Sequence, residues 1–228
     1  MDITVKDNFF KDPDYIRELA LSLDHWATAD TVDHPQGWRG IRSSPLKYYL
    51  SDVLDSICDQ IFNYCYNVRD LKNWTYPSWE TEVNPPERAN NPLREPMLTG
   101  YFHQAPSYLI NSLIDFPLMK YHMDYVSVAG LIYLTPEPPP MTGTSILDSK
   151  NNKMINVKNK YNRFVAYDGF NIHAVSGLFG DSKETNRLTL TFFIHEKEDE
   201  ERFCQRDEEY LGLEEMKKLP IYKDRMKH

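Results

Sequence analysis

Cysteine is scarce in this 228-residue sequence, and its three copies, Cys58, Cys65 and Cys204, do not form a zinc-type CxxC pair. Cys58 and Cys65 fall about two turns apart on a predicted helix, which is too far for a disulfide. The N-terminal MDITVKDNFF also lacks the basic and apolar regions of a signal peptide. We therefore expect a reduced protein of the cytoplasm.

Basic residues are outnumbered by acidic ones, and long apolar runs are missing. Lys and Arg total 26 against 34 Asp and Glu, which gives a formal net charge of −8 at pH 7. A nucleic-acid partner is not expected, because phosphate backbones are bound by clustered Lys and Arg. A membrane partner is not expected either, because no apolar stretch reaches the length of a membrane span.

Apolar and strand-forming residues are plentiful enough for a globular core, since 41% of the residues are hydrophobic and 13% aromatic. The short strands that follow one another from residue 100 onward are typical of a β-sandwich or barrel. The expected fold class is mainly β with flanking α-helices, in a single domain over residues 1–228. Its predicted parts are an N-terminal strand with two supporting helices (1–71, the second helix starting after Ser44-Pro45), an irregular loop (72–100), a β core (101–196) and a charged helical tail (197–228).

Residues 120–135, KYHMDYVSVAGLIYLT, read as a strand that runs into a second strand, with a break at Gly130. Side chains alternate along a strand, so His122 and Asp124 are predicted to point to the same face. A single His-x-Asp pair is weak evidence for a metal site, because most such pairs would form only a hydrogen bond at a rim. A third ligand is needed.

The third candidate ligand is His173, in a stretch read as one strand, NRFVAYDGFNIHAVSGL. In the following strand, RLTLTFFIHE, residues Arg187 and Thr189 face one way and the leucines face the other. Burying an unpaired guanidinium is costly, so a counter-ion for Arg187 is expected inside the sheet structure. If the three candidate ligands meet there, a dicarboxylic small molecule can bridge a metal ion and Arg187.

Five segments resemble the Fe(II)/2-oxoglutarate-dependent dioxygenases, and within them the prolyl-hydroxylase-like branch. In order and approximate spacing they are similar to that family's His-x-Asp, its strand ending in Tyr-Leu, its Gly-Gly-Thr-type turn, its distal histidine and its Arg-x-Ser/Thr. KDNFFKDPDYIREL (6–19) more loosely resembles the start of some bacterial and phage members. Thr142, where a glycine is common, departs from the pattern, as does a long interval from His173 to Arg187. The five segments are HMD (122–124), IYLTP (132–136), TGTSI (142–146), FVAYDGFNIHAV (164–175) and RLTLTFF (187–193).

The resemblance implies a double-stranded β-helix, or jelly-roll, core and a metal site made of His122, Asp124 and His173. Two histidines and one carboxylate on one face of the ion are typical of non-haem Fe(II) oxygenases. The implied cofactors are therefore Fe(II), 2-oxoglutarate as cosubstrate, and O2. The implied reaction hydroxylates a peptidyl or small-molecule substrate and releases succinate and CO2.

The resemblance also implies the residues that hold the far carboxylate of 2-oxoglutarate. Arg187 suits this role because its planar fork donates two parallel charge-assisted hydrogen bonds to a carboxylate. Thr189 and Tyr133 are expected to add hydroxyl donors. His103 and His195 have no ligand spacing to an acidic residue and are predicted to lie outside the metal site.

Three alternatives remain at this point. The first is a cupin-like metal protein or enzyme that does not use 2-oxoglutarate, which would have no need of Arg187. The second is a binding module that has lost its metal, and the intact His122, Asp124 and His173 argue against it. The third is halogenation, which needs the carboxylate position free for halide. Substrate choice depends on the loops, so the prime substrate is left open. The oligomeric state is left open as well.

Overall fold

The computed structural model describes residues 3–23, 26–28, 40–43, 60–61, 64, 97–107, 121–124 and 126–195. Within them the chain is mainly β, as expected. No helix among these residues combines the length and the apolar character that crossing a membrane requires. In chain order the elements are β1 (Thr4–Lys6), α1 (Pro13–Ser22), β2 (Trp26–Thr28), β3 (Ile41–Ser43), β4 (Met97–Ala105), β5 (Val128–Tyr133), β6 (Gly143–Asp148), β7 (Lys153–Lys158), β8 (Phe164–Tyr167), β9 (His173–Ser176) and β10 (Arg187–His195).

The described strands form two antiparallel sheets. The larger has the order β1-β8-β5-β10-β4-β3-β2, and the smaller has the order β7-β6-β9. An isolated antiparallel bridge between His122 and His173 extends the smaller sheet beyond β9. From β4 onward the chain therefore passes back and forth between the sheets, which is the arrangement of a jelly roll. The predicted jelly-roll core is confirmed.

Helix α1 covers the outer face of the larger sheet. Asp12 caps the helix by accepting a hydrogen bond of 3.0 Å from the backbone N–H of Tyr15, and Pro13 occupies the first turn. Ile16 and Ala20 bury one stripe of the helix. They join a cluster with the β10 side chains of even number: Leu188, Leu190, Phe192 and Ile194. The predicted first helix and its packing on the sheet are confirmed.

A second cluster fills the space between the two sheets. It contains Leu131 and Tyr133 from β5, Val165 and Tyr167 from β8, and Ile146 from the smaller sheet. The odd-numbered positions of β5 and β8 thus face the interior of the jelly roll. The candidate cosubstrate residues lie on this same interior face.

Two details of the predicted strands are wrong. Residues 121–124 form no regular strand and contribute only the bridge at His122. Gly130 does not break a strand but lies in the middle of β5. A β-carbon on Gly130 would stand 2.2 Å from Cζ of Phe192, so the glycine gives room for that ring to lie across the sheet.

The long predicted strand around His173 is also wrong. It divides into β8 in the larger sheet and β9 in the smaller sheet. Between them the backbone N–H of Asn171 donates to the carbonyl of Asp168 at 2.8 Å, and the N–H of Phe170 donates to the Asp168 carboxylate at 3.0 Å. This turn carries the chain from one sheet to the other.

Several predictions fall partly or wholly outside the described residues. Of the loop predicted for 72–100, residues 97–100 belong to β4, and the rest lie outside. Of the second helix, Gln60, Ile61 and Tyr64 are helical, and Ile61 is fully buried in the cluster under α1. The charged tail (197–228) lies outside the described residues. The single-domain organisation stays a prediction.

An ion-pair cluster attaches the segment after β1 to the turn before β8. Arg163 donates to Asp7 through Nε at 2.6 Å and Nη2 at 3.1 Å, and Lys160 Nζ donates to the same carboxylate at 2.7 Å. The hydrogen bonds from Arg163 and Lys160 lower the pKa of Asp7 far below its ordinary value. The folded state therefore binds this proton less readily than the unfolded state does.

Substituting Asp7→Asn is expected to lower the melting temperature at pH 7 by about 2–4 °C, which corresponds to about 1 kcal/mol for a partly exposed pair. Because the folded pKa is depressed, this stability is present above about pH 4 and is lost as the pH falls further. Thermal melts of the two proteins from pH 7 to pH 3 should therefore converge. Glu18→Gln, on the exposed face of α1, makes the same charge change and should leave the melting temperature nearly unchanged. A constant difference at every pH would contradict the electrostatic origin.

Candidate active site

The structure brings His122, Asp124 and His173 together as predicted. Nε2 of His173 lies 3.1 Å from Oδ2 of Asp124, and Nε2 of His122 lies 3.6 Å from Oδ1. Within the described residues, these side chains form the one group of His, Cys, Asp or Glu that could hold a metal ion, with ligand atoms all within 4.8 Å of one another. Ligand atoms bound at about 2.1 Å to neighbouring octahedral positions lie about 3 Å apart, so this donor set fits a divalent ion.

The backbone bridge holds the two histidines side by side. The N–H of His122 donates to the carbonyl of His173 at 3.0 Å, and the N–H of His173 donates back at 2.9 Å. Directly opposed residues of an antiparallel pair project to the same face, and the two rings lie 4.3 Å apart. Asp124 is placed separately, because its N–H donates to the carbonyl of Gly169 at 2.8 Å. The ligand geometry thus follows from backbone pairing with β9 and with the turn before it.

The tautomer of His173 also suits metal binding. Its Nδ1 lies 3.0 Å from the carbonyl oxygen of Asn171. A proton on Nδ1 donates to that carbonyl and leaves the lone pair of Nε2 directed towards Asp124 and the metal position. The His173 side chain is 6% exposed, whereas His122 is 45% exposed. The site is therefore closed on the His173 side and open on the His122 side.

The neighbours of Asp124 favour its ionised form despite its burial. Burial by itself raises the pKa of this carboxyl, but His173, His122 and Arg42 oppose the effect and bring the pKa below its ordinary value. A carboxylate binds a divalent ion only in its deprotonated form. The electrostatics of the site thus favour metal binding.

Arg187 lies at the start of β10, buried to 3% exposure inside the jelly roll. Its Nη2 makes only long contacts of 3.4 Å to the carbonyl of Gly143 and to Oγ1 of Thr144, and its Nε has no hydrogen-bond partner among the described residues. Burial lowers the pKa of Arg187, and the groups that oppose this are the tyrosines Tyr133 and Tyr167. A buried guanidinium in these surroundings calls for an anionic ligand.

Tyr133 and Thr189 lie beside Arg187, as expected. Thr189 is directly opposite Tyr133 across the β10–β5 pair, and Cζ of Arg187 lies 5.4 Å from the centre of the Tyr133 ring. The Tyr133 hydroxyl lies 2.7 Å from Oγ1 of Thr144 and donates to the carbonyl of Val157 at 3.3 Å. The fully buried Thr189 donates weakly to the carbonyl of His103 at 3.4 Å. Their contacts with a cosubstrate stay predictions.

Sequence reasoning missed two interior residues. Arg42 of β3 pairs with His103, and its guanidinium carbon lies 4.9 Å from the Tyr101 ring and 5.9 Å from the Phe193 ring. The sequence signal for Arg42 was the alternation of side chains along the short strand Ile41–Ser43. Tyr167 lies against His173 with a ring distance of 4.8 Å, and its signal was the period-two pattern of FVAY.

Comparison with known proteins gives no match to any protein-family model and none to any curated protein. Among solved structures, the chain is similar to a prolyl hydroxylase from Trichoplax adhaerens, in complex with a hypoxia inducible factor oxygen degradation domain peptide fragment. The TM-score is 0.50 at 14% identity, over 88% of this chain and 86% of that chain. The chain shares the fold of that prolyl hydroxylase. The fold resemblance predicted from the sequence is thereby confirmed.

Two further solved structures are similar at lower scores. A Pseudomonas putida prolyl-4-hydroxylase gives a TM-score of 0.47 at 14% identity, over 85% of this chain and 91% of that chain. The Fe(II)/(alpha)ketoglutarate-dependent dioxygenase TqaL gives a TM-score of 0.42 at 10% identity, over 85% of this chain and 82% of that chain.

Proposed function

We propose that the protein is an Fe(II)- and 2-oxoglutarate-dependent dioxygenase that hydroxylates a peptidyl or small-molecule substrate, with release of succinate and CO2. The observation that carries the proposal is the pairing of two features in one interior. His122, Asp124 and His173 form a group that could hold a metal ion, with the residue types of a two-histidine, one-carboxylate iron site. Arg187 is buried in the same jelly roll with an Nε that lacks a hydrogen-bond partner among the described residues.

A 2-oxo dicarboxylate offers a suitable group to each feature. Its 2-oxo acid end suits the open positions of a metal held by three protein ligands, and its far carboxylate suits the guanidinium of Arg187. When bound, the iron and cosubstrate supply the oxidation of the substrate. The chain's own residues would orient the two ends, exclude water and neutralise the distant charge.

The roles of the remaining groups follow from their positions. Asp124 would supply the anionic ligand, because His122 and His173 are neutral when they bind a metal. Tyr133 and Thr189 would border the far carboxylate beside Arg187. The exposed side of His122 is the side from which a substrate would approach, since the opposite side is closed by the buried ring of His173.

The test is an anaerobic titration of the Fe(II)-loaded protein with 2-oxoglutarate. We expect about one equivalent of Fe(II) to bind and a weak visible charge-transfer band to appear as the 2-oxo acid chelates the iron. The Zn(II)-loaded protein is the control and should show no such band, because Zn(II) is redox-inactive. In air, free amino acids, peptides and small metabolites are then screened for stimulation of succinate formation. Absence of both the band and 2-oxoglutarate-dependent succinate would favour a cupin-like protein that does not use this cosubstrate.

A further inference from the structure

Tyr167 is a buried tyrosine with no role in the function proposed above. It ends β8, pairs with Ala129 of β5 and is 3% exposed. Odd-numbered residues of β8 face the interior, and the Tyr167 ring rests against that of His173 at 4.8 Å with an angle of 54° between the planes. Tyr167 therefore stands at the metal end of the interior wall.

The Tyr167 side chain belongs to the same interior cluster as Tyr133, between the two sheets. Along β5, the partner of Tyr167 is Ala129, whereas Tyr133 lies at the other end of the same strand. The two tyrosines thus mark opposite ends of one interior wall.

The hydrogen bonding of these two tyrosines differs. Tyr133 is engaged with Thr144 and with the carbonyl of Val157. Within the part of the chain that the structure describes, the Tyr167 hydroxyl makes no hydrogen bond, and it is not among the polar atoms that are completely enclosed without a partner. A buried tyrosine hydroxyl usually finds a partner, because losing its hydration without compensation is costly. A ligand in this space would supply one.

We propose that Tyr167 is a positioning residue whose hydroxyl donates a hydrogen bond to the metal-side end of the bound 2-oxo acid. The inference rests on the proposed function and adds a donor at the end opposite Arg187. A tyrosine hydroxyl is protonated at neutral pH and is therefore a donor to an anionic carboxylate or to a keto oxygen. The contact would fix the orientation of the 2-oxo acid relative to His173, on whose ring Tyr167 rests.

The test is Tyr167→Phe, which removes the hydroxyl and keeps the ring against His173. We expect Fe(II) binding to be unchanged and 2-oxoglutarate affinity to fall about 3- to 10-fold, as for one net hydrogen bond. The charge-transfer band should move to higher energy, because the lost donor no longer stabilises the electron-accepting 2-oxo acid. The matched control is Tyr15→Phe, since Tyr15 lies on α1 and is 47% exposed.

The outcomes separate this inference from the proposed function. If the parent shows the band and Tyr167→Phe reproduces both its position and its affinity, the inference is wrong and the dioxygenase proposal stands. If Tyr167→Phe weakens Fe(II) binding as much as it weakens 2-oxoglutarate binding, the role of Tyr167 is to pack against His173, which also overturns the inference. If the parent itself shows no band, the proposed function fails and this inference falls with it.

Discussion

The substitution Arg187→Met is expected to weaken 2-oxoglutarate binding about 30-fold to several thousand-fold, which corresponds to about 2–5 kcal/mol for truncating one partner of a buried charged pair. Fe(II) binding should be nearly unchanged, because Arg187 is not a ligand. Methionine keeps much of the apolar stem beside Tyr133. The loss of 2-oxoglutarate affinity therefore measures the contribution of the guanidinium charge and its hydrogen-bond donors. The measurement is the anaerobic titration followed through the charge-transfer band, together with Fe(II) titration of the apo protein.

Two further variants make the result specific to Arg187. Arg187→Lys keeps the charge but loses the planar fork, so its affinity should lie between those of the parent and the Met variant. Arg17→Met removes an arginine of α1 that donates to the carbonyls of Leu134 and Glu184, and it should leave 2-oxoglutarate affinity unchanged. Tight 2-oxoglutarate binding by Arg187→Met would place the anchor on another residue while leaving the enzyme class intact.

Side-chain alternation was a sufficient guide to the faces of β10. Leu188 and Leu190 pack under α1, while the neighbouring Arg187 and Thr189 are buried on the other face. The strand is covered on both sides, so burial alone would not have separated the two sets. The polar character of the odd-numbered residues distinguishes the two faces. Burying an arginine and threonines in an apolar core is costly unless a group inside pairs with them.

The passage between the sheets could not be predicted from periodicity. The stretch around His173 is strand-like on both sides of its turn, and a period of two carries no information about which sheet each half joins. Asp168-Gly169 is a turn signal that separates the two halves. Its consequence is functional, because the turn places the carbonyls of Gly169 and Asn171 against the backbone of Asp124 and the ring of His173.

The side chains of His122 and Asp124 come together as the sequence predicts, but the predicted reason is incomplete. Alternation along a strand was expected to align His122 with Asp124, yet residues 121–124 form no regular strand. The convergence comes from two long-range backbone contacts, with His173 for one residue and with Gly169 for the other. Such contacts depend on the tertiary fold and are invisible in the local sequence. The ligand set is therefore a property of the jelly roll as a whole.

Loss of one metal ligand should have the largest effect on Fe(II) binding. We expect His122→Ala to weaken Fe(II) binding by more than about 100-fold, since removing even an outer partner of a metal ligand typically costs about 10- to 100-fold. The fold should survive, because the side chain of His122 is 45% exposed and its backbone bridge to His173 does not need the ring. The measurement is Fe(II) titration of the apo protein, with thermal melts to verify folding.

The matched control is His195→Ala, because His195 ends β10 and does not belong to the group of metal-ligating side chains. Lowering the pH from 7 to 5 should weaken Fe(II) binding to the parent, because the histidines must be deprotonated to act as ligands. The dependence should be shallower in His122→Ala, which has one histidine fewer to deprotonate. If His122→Ala binds Fe(II) as tightly as the parent and with the same pH dependence, His122 is not a ligand. The open side of the site would then have to be completed by another group.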